Sequence, residues 1–113
     1  MQKYTEERPW GKFEQFCHNE QVTVKIITVK PNSKLSLQYH HKRDEFWRVV
    51  GGSGQIVLGK KIIDVNIGDE HYIPKETKHR MIAKDEKLEI MEIAFGEFDE
   101  NDIVRLEDDY NRK

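Results

Sequence analysis

Residues 35–45 read LSLQYHHKRDE, and this stretch decides the interpretation of the whole chain. Alternate side chains of an extended strand point to opposite faces, so Ser36, Gln38 and His40 share one face. Polar side chains that point into a protein interior need partners. One metal ion can satisfy an amide oxygen, an imidazole and a carboxylate together. The segment therefore predicts a β-strand that carries metal ligands.

Two further residues complete the predicted ligand set. Glu45 follows His40 by five residues, so a hairpin can return its carboxylate to the same place. His79 follows a turn at residues 73–78 and begins another predicted strand. Two imidazoles, a carboxylate and an amide oxygen leave a divalent ion open positions, as a catalytic site requires. We expect one divalent ion on Gln38, His40, Glu45 and His79, with zinc as the first choice and manganese, cobalt, nickel or iron as alternatives.

The rest of the chain has the spacing of turn residues that is typical of an all-β protein. Short runs rich in Val, Ile and aromatic residues are broken about every eight to twelve residues by Gly, Pro, Asn or Asp. The predicted strands cover residues 11–17, 22–29, 35–40, 45–50, 54–58, 61–66, 71–73, 79–83 and 88–95. Such strands favour a barrel or double-sheet roll, because closure removes unpaired edges. We expect a single domain over residues 1–113 and, in the charged tail 101–113, one helical turn or a segment lying over the barrel.

Composition excludes several classes of function. The chain has 19 basic and 21 acidic residues, which are interspersed and leave a net charge of -2, so no basic stripe predicts nucleic-acid binding. No apolar run reaches the roughly 18 residues of a membrane span. Cys17 is the only cysteine, which fits a reducing compartment, and we expect a cytoplasmic protein. A small barrel buries little surface alone, so we also expect a homodimer.

The spacing of the predicted ligands resembles the two motifs of the cupin family. The first motif is matched by Asn32, Gln38, His40, Glu45 and Gly52, and the second by Gly68, Pro74, Glu76 and His79. Asn32 and Glu76 stand where the family pattern has glycines, and Asn tolerates a left-handed turn more readily than Glu. The resemblance implies a cupin-type double-stranded β-helix, also called a jelly-roll barrel.

More narrowly, the chain resembles the C-terminal isomerase domain of type II phosphomannose isomerases, which in bifunctional enzymes follows a mannose-1-phosphate guanylyltransferase domain. The matching stretches are residues 8–11, 35–41, 72–74, 78–80 and 102–105, together with the single residues Arg43, Glu45, Trp47, Glu107, Asp108 and Tyr110. Phe46 and Ala83 replace polar residues that the family usually carries. The resemblance implies a metal-dependent aldose–ketose isomerase that interconverts mannose 6-phosphate and fructose 6-phosphate. A separate nucleotidyltransferase is then an expected partner.

This resemblance assigns roles around the metal. Arg43 and His41 are the catalytic candidates; Arg43 could also hold phosphate through two hydrogen bonds. Strand alternation is expected to turn Arg80 outward if His79 faces inward, unless the strand bends. The proton-transferring base is left open among His41, His71 and Tyr72. The further substrate-binding candidates are Lys42, Lys78, Arg80 and Tyr72.

Two other functions are compatible with the same residues. A cupin barrel could bind a sugar phosphate or sugar nucleotide without catalysis, because a fold does not determine a function. An isomerase or epimerase could also act on another sugar phosphate. Turnover of fructose 6-phosphate would distinguish an isomerase from the non-catalytic cupin.

Overall fold

The computed structural model describes residues 2–110, and within that range it contains strands and turns but no helix. The all-β prediction is confirmed. The strands are β1 (Tyr4–Arg8), β2 (Gly11–Gln15), β3 (Val22–Val29), β4 (Leu37–Tyr39), β5 (Glu45–Leu58), β6 (Lys61–Asn66), β7 (Glu70–Ile73), β8 (His79–Phe95) and β9 (Val104–Glu107).

Two long strands organise the barrel. The first half of β5 pairs with β7 and with the second half of β8, whereas its second half pairs with β6 and with the first half of β8. The edges are extended by β3, which pairs with the second half of β8, and by β4 and β9 beside its first half. The buried core between these layers contains Val29, Trp47, Val49, Ile56, Val65, Ile73, Met81, Ala83, Leu88 and Ile90.

The sequence prediction divided β5 and β8 into two strands each, and the structure corrects this. The ladder continues through register shifts near Gly52, whose φ is +69°. A Cβ atom at Gly52 would lie 1.8 Å from the backbone oxygen of Lys87, so only glycine fits at this approach of β5 to β8. The glycines therefore bend a continuous strand between the two layers instead of ending it.

The ends of the chain also differ from the prediction. Of the two expectations for the tail, the helical turn is wrong for the described residues, whereas a segment lying over the barrel agrees with β9, which pairs with β4; residues 111–113 lie outside the described range. The N-terminal strands β1 and β2 form a separate hairpin, and Trp10 at its tip is 73% exposed. In the described part of the chain, no helix is long and apolar enough to cross a membrane.

Candidate metal centre and substrate cavity

The structure brings together three of the four predicted ligands in the barrel interior. His40, Glu45 and His79 are each at most 2% exposed, and one potential donor atom from each lies within 4.8 Å of the others. The two carboxylate oxygens of Glu45 face the two imidazoles: Oε2 lies 3.4 Å from His40 Nε2, and Oε1 lies 3.8 Å from His79 Nε2. Donor atoms this close together, two imidazole nitrogens and a carboxylate, are a set that a divalent ion can share after a small adjustment.

Backbone carbonyls orient both imidazoles. The Nδ1 of His40 donates to the carbonyl of Asp102 at 2.6 Å, and the Nδ1 of His79 donates to the carbonyl of Thr77 at 2.8 Å. These bonds place the protons on Nδ1 and turn the Nε2 lone pairs toward Glu45, which is how histidine ligands are commonly held. Burial lowers the pKa of both rings from 6.5. At neutral pH the imidazoles are therefore neutral and able to bind a metal ion.

The donor set fits a divalent metal ion. His79 Nε2 is buried and has no hydrogen-bond partner within residues 2–110, which is costly for a nitrogen with a free lone pair. Gln38 lies opposite His79 in the ladder between β4 and β8, and its Oε1 accepts a hydrogen bond from Ser36 at 2.9 Å. The fourth predicted ligand is thus beside the cluster and lines the same cavity.

Arg43 belongs to the cluster and is not a solvated loop charge. Its Nε donates to Glu45 Oε2 at 2.9 Å, its Nη2 lies 3.2 Å from His40 Nε2, and its Nη1 is 3.4 Å from the carbonyl of Asp99. The guanidinium also lies 4.5 Å from the ring centroid of Phe98. With only 9% of its side chain exposed, Arg43 orients the carboxylate of Glu45 and neutralises its charge.

A second buried carboxyl group, Glu92, lies next to Glu45. Glu92 is 7% exposed, and it is the cross-strand partner of Trp47 on β5. Burial, the charge of Glu45 and a hydrogen bond between the two carboxyl groups raise the pKa of Glu92 to about 8. In the metal-free protein Glu92 is therefore mostly protonated at neutral pH, so the two carboxyl groups carry less than two charges.

The cluster opens into a cavity of about 150 Å³, which has room for several water-sized groups. Its wall combines the buried cluster with charged side chains of β3, β8, β9 and the loop that follows β8. The lining residues are Lys25, Ile27, Leu35, Gln38, Arg43, Trp47, His79, Arg80, Met81, Glu92, Phe98, Glu100, Ile103 and Arg105.

Several predicted substrate contacts lie elsewhere. His41 is exposed and packs edge-on against Tyr39, away from the cavity lining. Lys42 and Lys78 are exposed side chains that do not line the cavity either. Tyr72 is the cross-strand partner of Phe46 on the outer face, where its hydroxyl donates to Asp44.

One expectation about side-chain direction is corrected, and two other residues are unsuited to a role in the site. Arg80 does not turn outward: it is 7% exposed, lines the cavity, and donates to the carbonyl of Leu35 at 2.7 Å. Phe46 does not line the site, because it packs against Phe16 beneath the N-terminal hairpin. Burial, together with a hydrogen bond to Asp44, raises the pKa of Tyr72 to about 12, so this phenol is unsuited to act as a base near neutral pH.

The sequence interpretation missed Lys25 and Glu92. Lys25 lies between Val24 and Ile26 on β3, and Glu92 lies between Met91 and Ile93 in the otherwise apolar stretch 90–95 of β8. They face each other in the ladder between β3 and β8. For Glu92, which is buried, a charge within an apolar stretch is a usable signal, because burial without a partner is costly; Lys25 is exposed and carries no such signal.

Comparison with known families agrees with this geometry. A model of the family described as mannose-6-phosphate isomerase, C-terminal, matches residues 1–108. The chain belongs to this family. The resemblance deduced from the sequence is thereby confirmed.

Curated members of this family are longer than the chain. The xanthan biosynthesis protein XanB of Xanthomonas campestris is 39% identical over 107 residues, which are 93% of this chain and 23% of XanB. The alginate biosynthesis protein AlgA of Pseudomonas aeruginosa is 41% identical over 107 residues, covering 93% of this chain and 22% of AlgA. The mannose-1-phosphate guanylyltransferase ManC of Salmonella typhimurium is 36% identical over the same shares. The isomerase-family chain thus spans under a quarter of these relatives.

Solved structures confirm the cupin fold. A cupin 2 conserved barrel domain protein from Rhodopseudomonas palustris has a TM-score of 0.67 at 24% identity, covering 75% of this chain and 59% of that one. Oxalate decarboxylase from Bacillus subtilis has a TM-score of 0.70 at 27% identity, covering 77% of this chain and 24% of that one.

Proposed function

We propose that the protein is a metal-dependent aldose–ketose isomerase that interconverts mannose 6-phosphate and fructose 6-phosphate. The observation that supports this most strongly is the buried cluster of His40, Glu45 and His79 at the base of a charged cavity. Membership of the mannose-6-phosphate isomerase C-terminal family favours this substrate pair over other sugar phosphates.

The chain's own residues account for most of the proposed chemistry. When bound, a divalent ion at this site supplies a positive charge that polarises the substrate carbonyl. His40, Glu45, His79 and Gln38 hold the ion, and Arg43 fixes the carboxylate of Glu45 in its orientation.

Glu92 is proposed as the group that moves a proton between the two substrate carbons. A proton-transferring residue needs to reach the substrate, and Glu92 lines the cavity beside the cluster, whereas the three earlier candidates His41, His71 and Tyr72 do not. The barrel wall around Trp47 and Met81 limits the access of water to that position.

Turnover tests the proposal directly. Purified protein supplied with a divalent metal is expected to convert fructose 6-phosphate to mannose 6-phosphate, and Gln38→Ala or His79→Ala is expected to abolish this. His18→Ala, in an exposed loop, is the matched control and should retain activity. If the wild type is inactive with zinc, manganese, cobalt, nickel and iron, yet binds a sugar nucleotide, the protein is a non-catalytic cupin.

The remaining parts of the proposal concern the setting of the reaction. Zinc is the first metal to test, because two imidazoles and a carboxylate are ligands that it commonly takes in catalytic sites. A cytoplasmic location and a separate nucleotidyltransferase partner are proposed with it. The nucleotidyltransferase partner is proposed because one relative is named a guanylyltransferase and this chain covers only 22% of it.

A further inference from the structure

The row of side chains that leads out of the metal cluster ends at Lys25. Trp47, Glu92 and Lys25 are successive cross-strand partners on β5, β8 and β3, and all three line the cavity. Neighbouring strands are about 4.8 Å apart, so the backbone of Lys25 is roughly 10 Å from that of Trp47 across the sheet. Lys25 is therefore on the cavity wall at a distance from the cluster, toward the opening.

Two arginines of this wall, Arg43 and Arg80, are engaged in internal contacts. Arg43 is bound to Glu45, His40 and the carbonyl of Asp99. Arg80 donates to the carbonyls of Leu35 and Glu107. Using either guanidinium for a ligand would require breaking bonds that hold the site together.

Lys25 is held much more loosely. Its ion pair is with Glu100, at 3.6 Å, and Glu100 is 80% exposed while the Lys25 side chain is 41% exposed. Exposed pairs of this kind contribute little stability. The ammonium group also lies 4.3 Å from the ring centroid of Phe98, on the loop that carries Glu100. A ligand anion can replace Glu100 at Lys25 at small cost.

We infer that Lys25 binds the phosphoryl group of the substrate, and that Glu100 occupies this position as an internal competitor until the phosphate arrives. The inference deepens the proposed function, on which the identity of the sugar depends. A sugar phosphate has its reacting carbonyl and its phosphate at opposite ends. In the cavity, the cluster would receive the carbonyl end and Lys25 the phosphate end. The ring of Phe98 lies beside the ammonium group of Lys25.

Substitutions at the two members of the ion pair should have opposite effects on metal-loaded protein. Lys25→Gln is expected to weaken binding of inorganic phosphate, measured by calorimetry, by about tenfold to a hundredfold. Glu100→Gln is expected to tighten it by about two- to fivefold. Lys30→Gln and Glu97→Gln are the matched controls, because they make the same charge changes at exposed positions outside the cavity lining.

Turnover supplies the second measurement. Lys25→Gln should raise the KM for fructose 6-phosphate by a similar factor, with metal content unchanged and kcat reduced far less. If turnover is present and Lys25→Gln changes neither KM nor phosphate binding, the inference is overturned. If no sugar phosphate is turned over but phosphate binding still depends on Lys25, the isomerase proposal fails and the anion site stands. If phosphate binding is insensitive to both substitutions, the anion site is overturned whatever the activity.

Discussion

The buried carboxyl pair gives a prediction about stability in the metal-free protein. Glu92 has a folded-state pKa of about 8 against an ordinary value of 4.5, because it is buried and next to Glu45. A raised carboxyl pKa means that the folded state binds more protons than the unfolded state between these values. The stability of the wild type is therefore expected to fall as the pH rises from about 4.5 through about 8.

Glu92→Gln removes this titration while keeping a side chain of similar size and an N–H donor for Glu45. Each pH unit between the two pKa values contributes about 1.4 kcal/mol, so the variant should gain up to roughly 4 to 5 kcal/mol over the wild type at pH 9. Below pH 4.5 this difference should vanish. The histidines titrate in both proteins and cancel in the comparison.

Urea unfolding of chelator-treated protein at pH 4.5, 6, 7.5 and 9 measures the free energies of unfolding. Glu97→Gln, an exposed substitution of the same kind, controls for net charge. A difference between Glu92→Gln and the wild type that stays constant with pH would refute the reasoning.

Three further predictions follow from local geometry. Glu76 has a φ of +66° and Asn32 a φ of +60°, in the left-handed region that strains a residue with a side chain. Glu76→Gly should therefore stabilise the protein by about 1 kcal/mol in thermal unfolding, and Asn32→Gly by less. Equal gains for the two variants, or a loss of stability, would contradict backbone strain at Glu76. Burial lowers the pKa of His40 and His79, so both rings stay neutral and able to bind metal until the pH is well below 6.5. Elemental analysis after dialysis should find the metal retained at pH 7.5 and lost well below pH 6.5. Metal retained at pH 4.5 would contradict binding through these two imidazoles. Ile26 is 64% exposed on the edge strand β3, and we expect it to lie in the homodimer interface. Ile26→Asp should therefore halve the mass measured by light scattering. A wild type that is already monomeric would contradict this interface.

The ligand cluster could be predicted because its information is local. Gln38 and His40 share a face by strand alternation, a hairpin after His40 returns Glu45 to them, and the turn at residues 73–78 points to His79, whose place the family resemblance supports. The sequence gives no comparable local rule for Lys25, which faces Glu92 only through the pairing of β3 with β8. Contacts between distant strands depend on register, which periodicity alone does not determine.

Side-chain length explains another error. Alternation predicts an outward Arg80, but its long side chain is buried against the barrel, where its guanidinium reaches the carbonyl of Leu35. Glycines such as those around Gly52 predict the end of a strand, but here they allow one strand to bend and continue. The charge of the tail does not distinguish a helical turn from a segment on the barrel; residues 104–107 pair with β4 and cover its edge.

X-ray absorption at the zinc edge, on protein loaded with one equivalent of zinc, tests the central claim most directly. We predict one tightly held ion per chain with only nitrogen and oxygen ligands at about 2.0–2.2 Å, including two imidazoles, and loss of one imidazole and of tight binding in His79→Ala. A wild-type spectrum with fewer than two imidazoles, or one that His79→Ala leaves unchanged, would contradict the account.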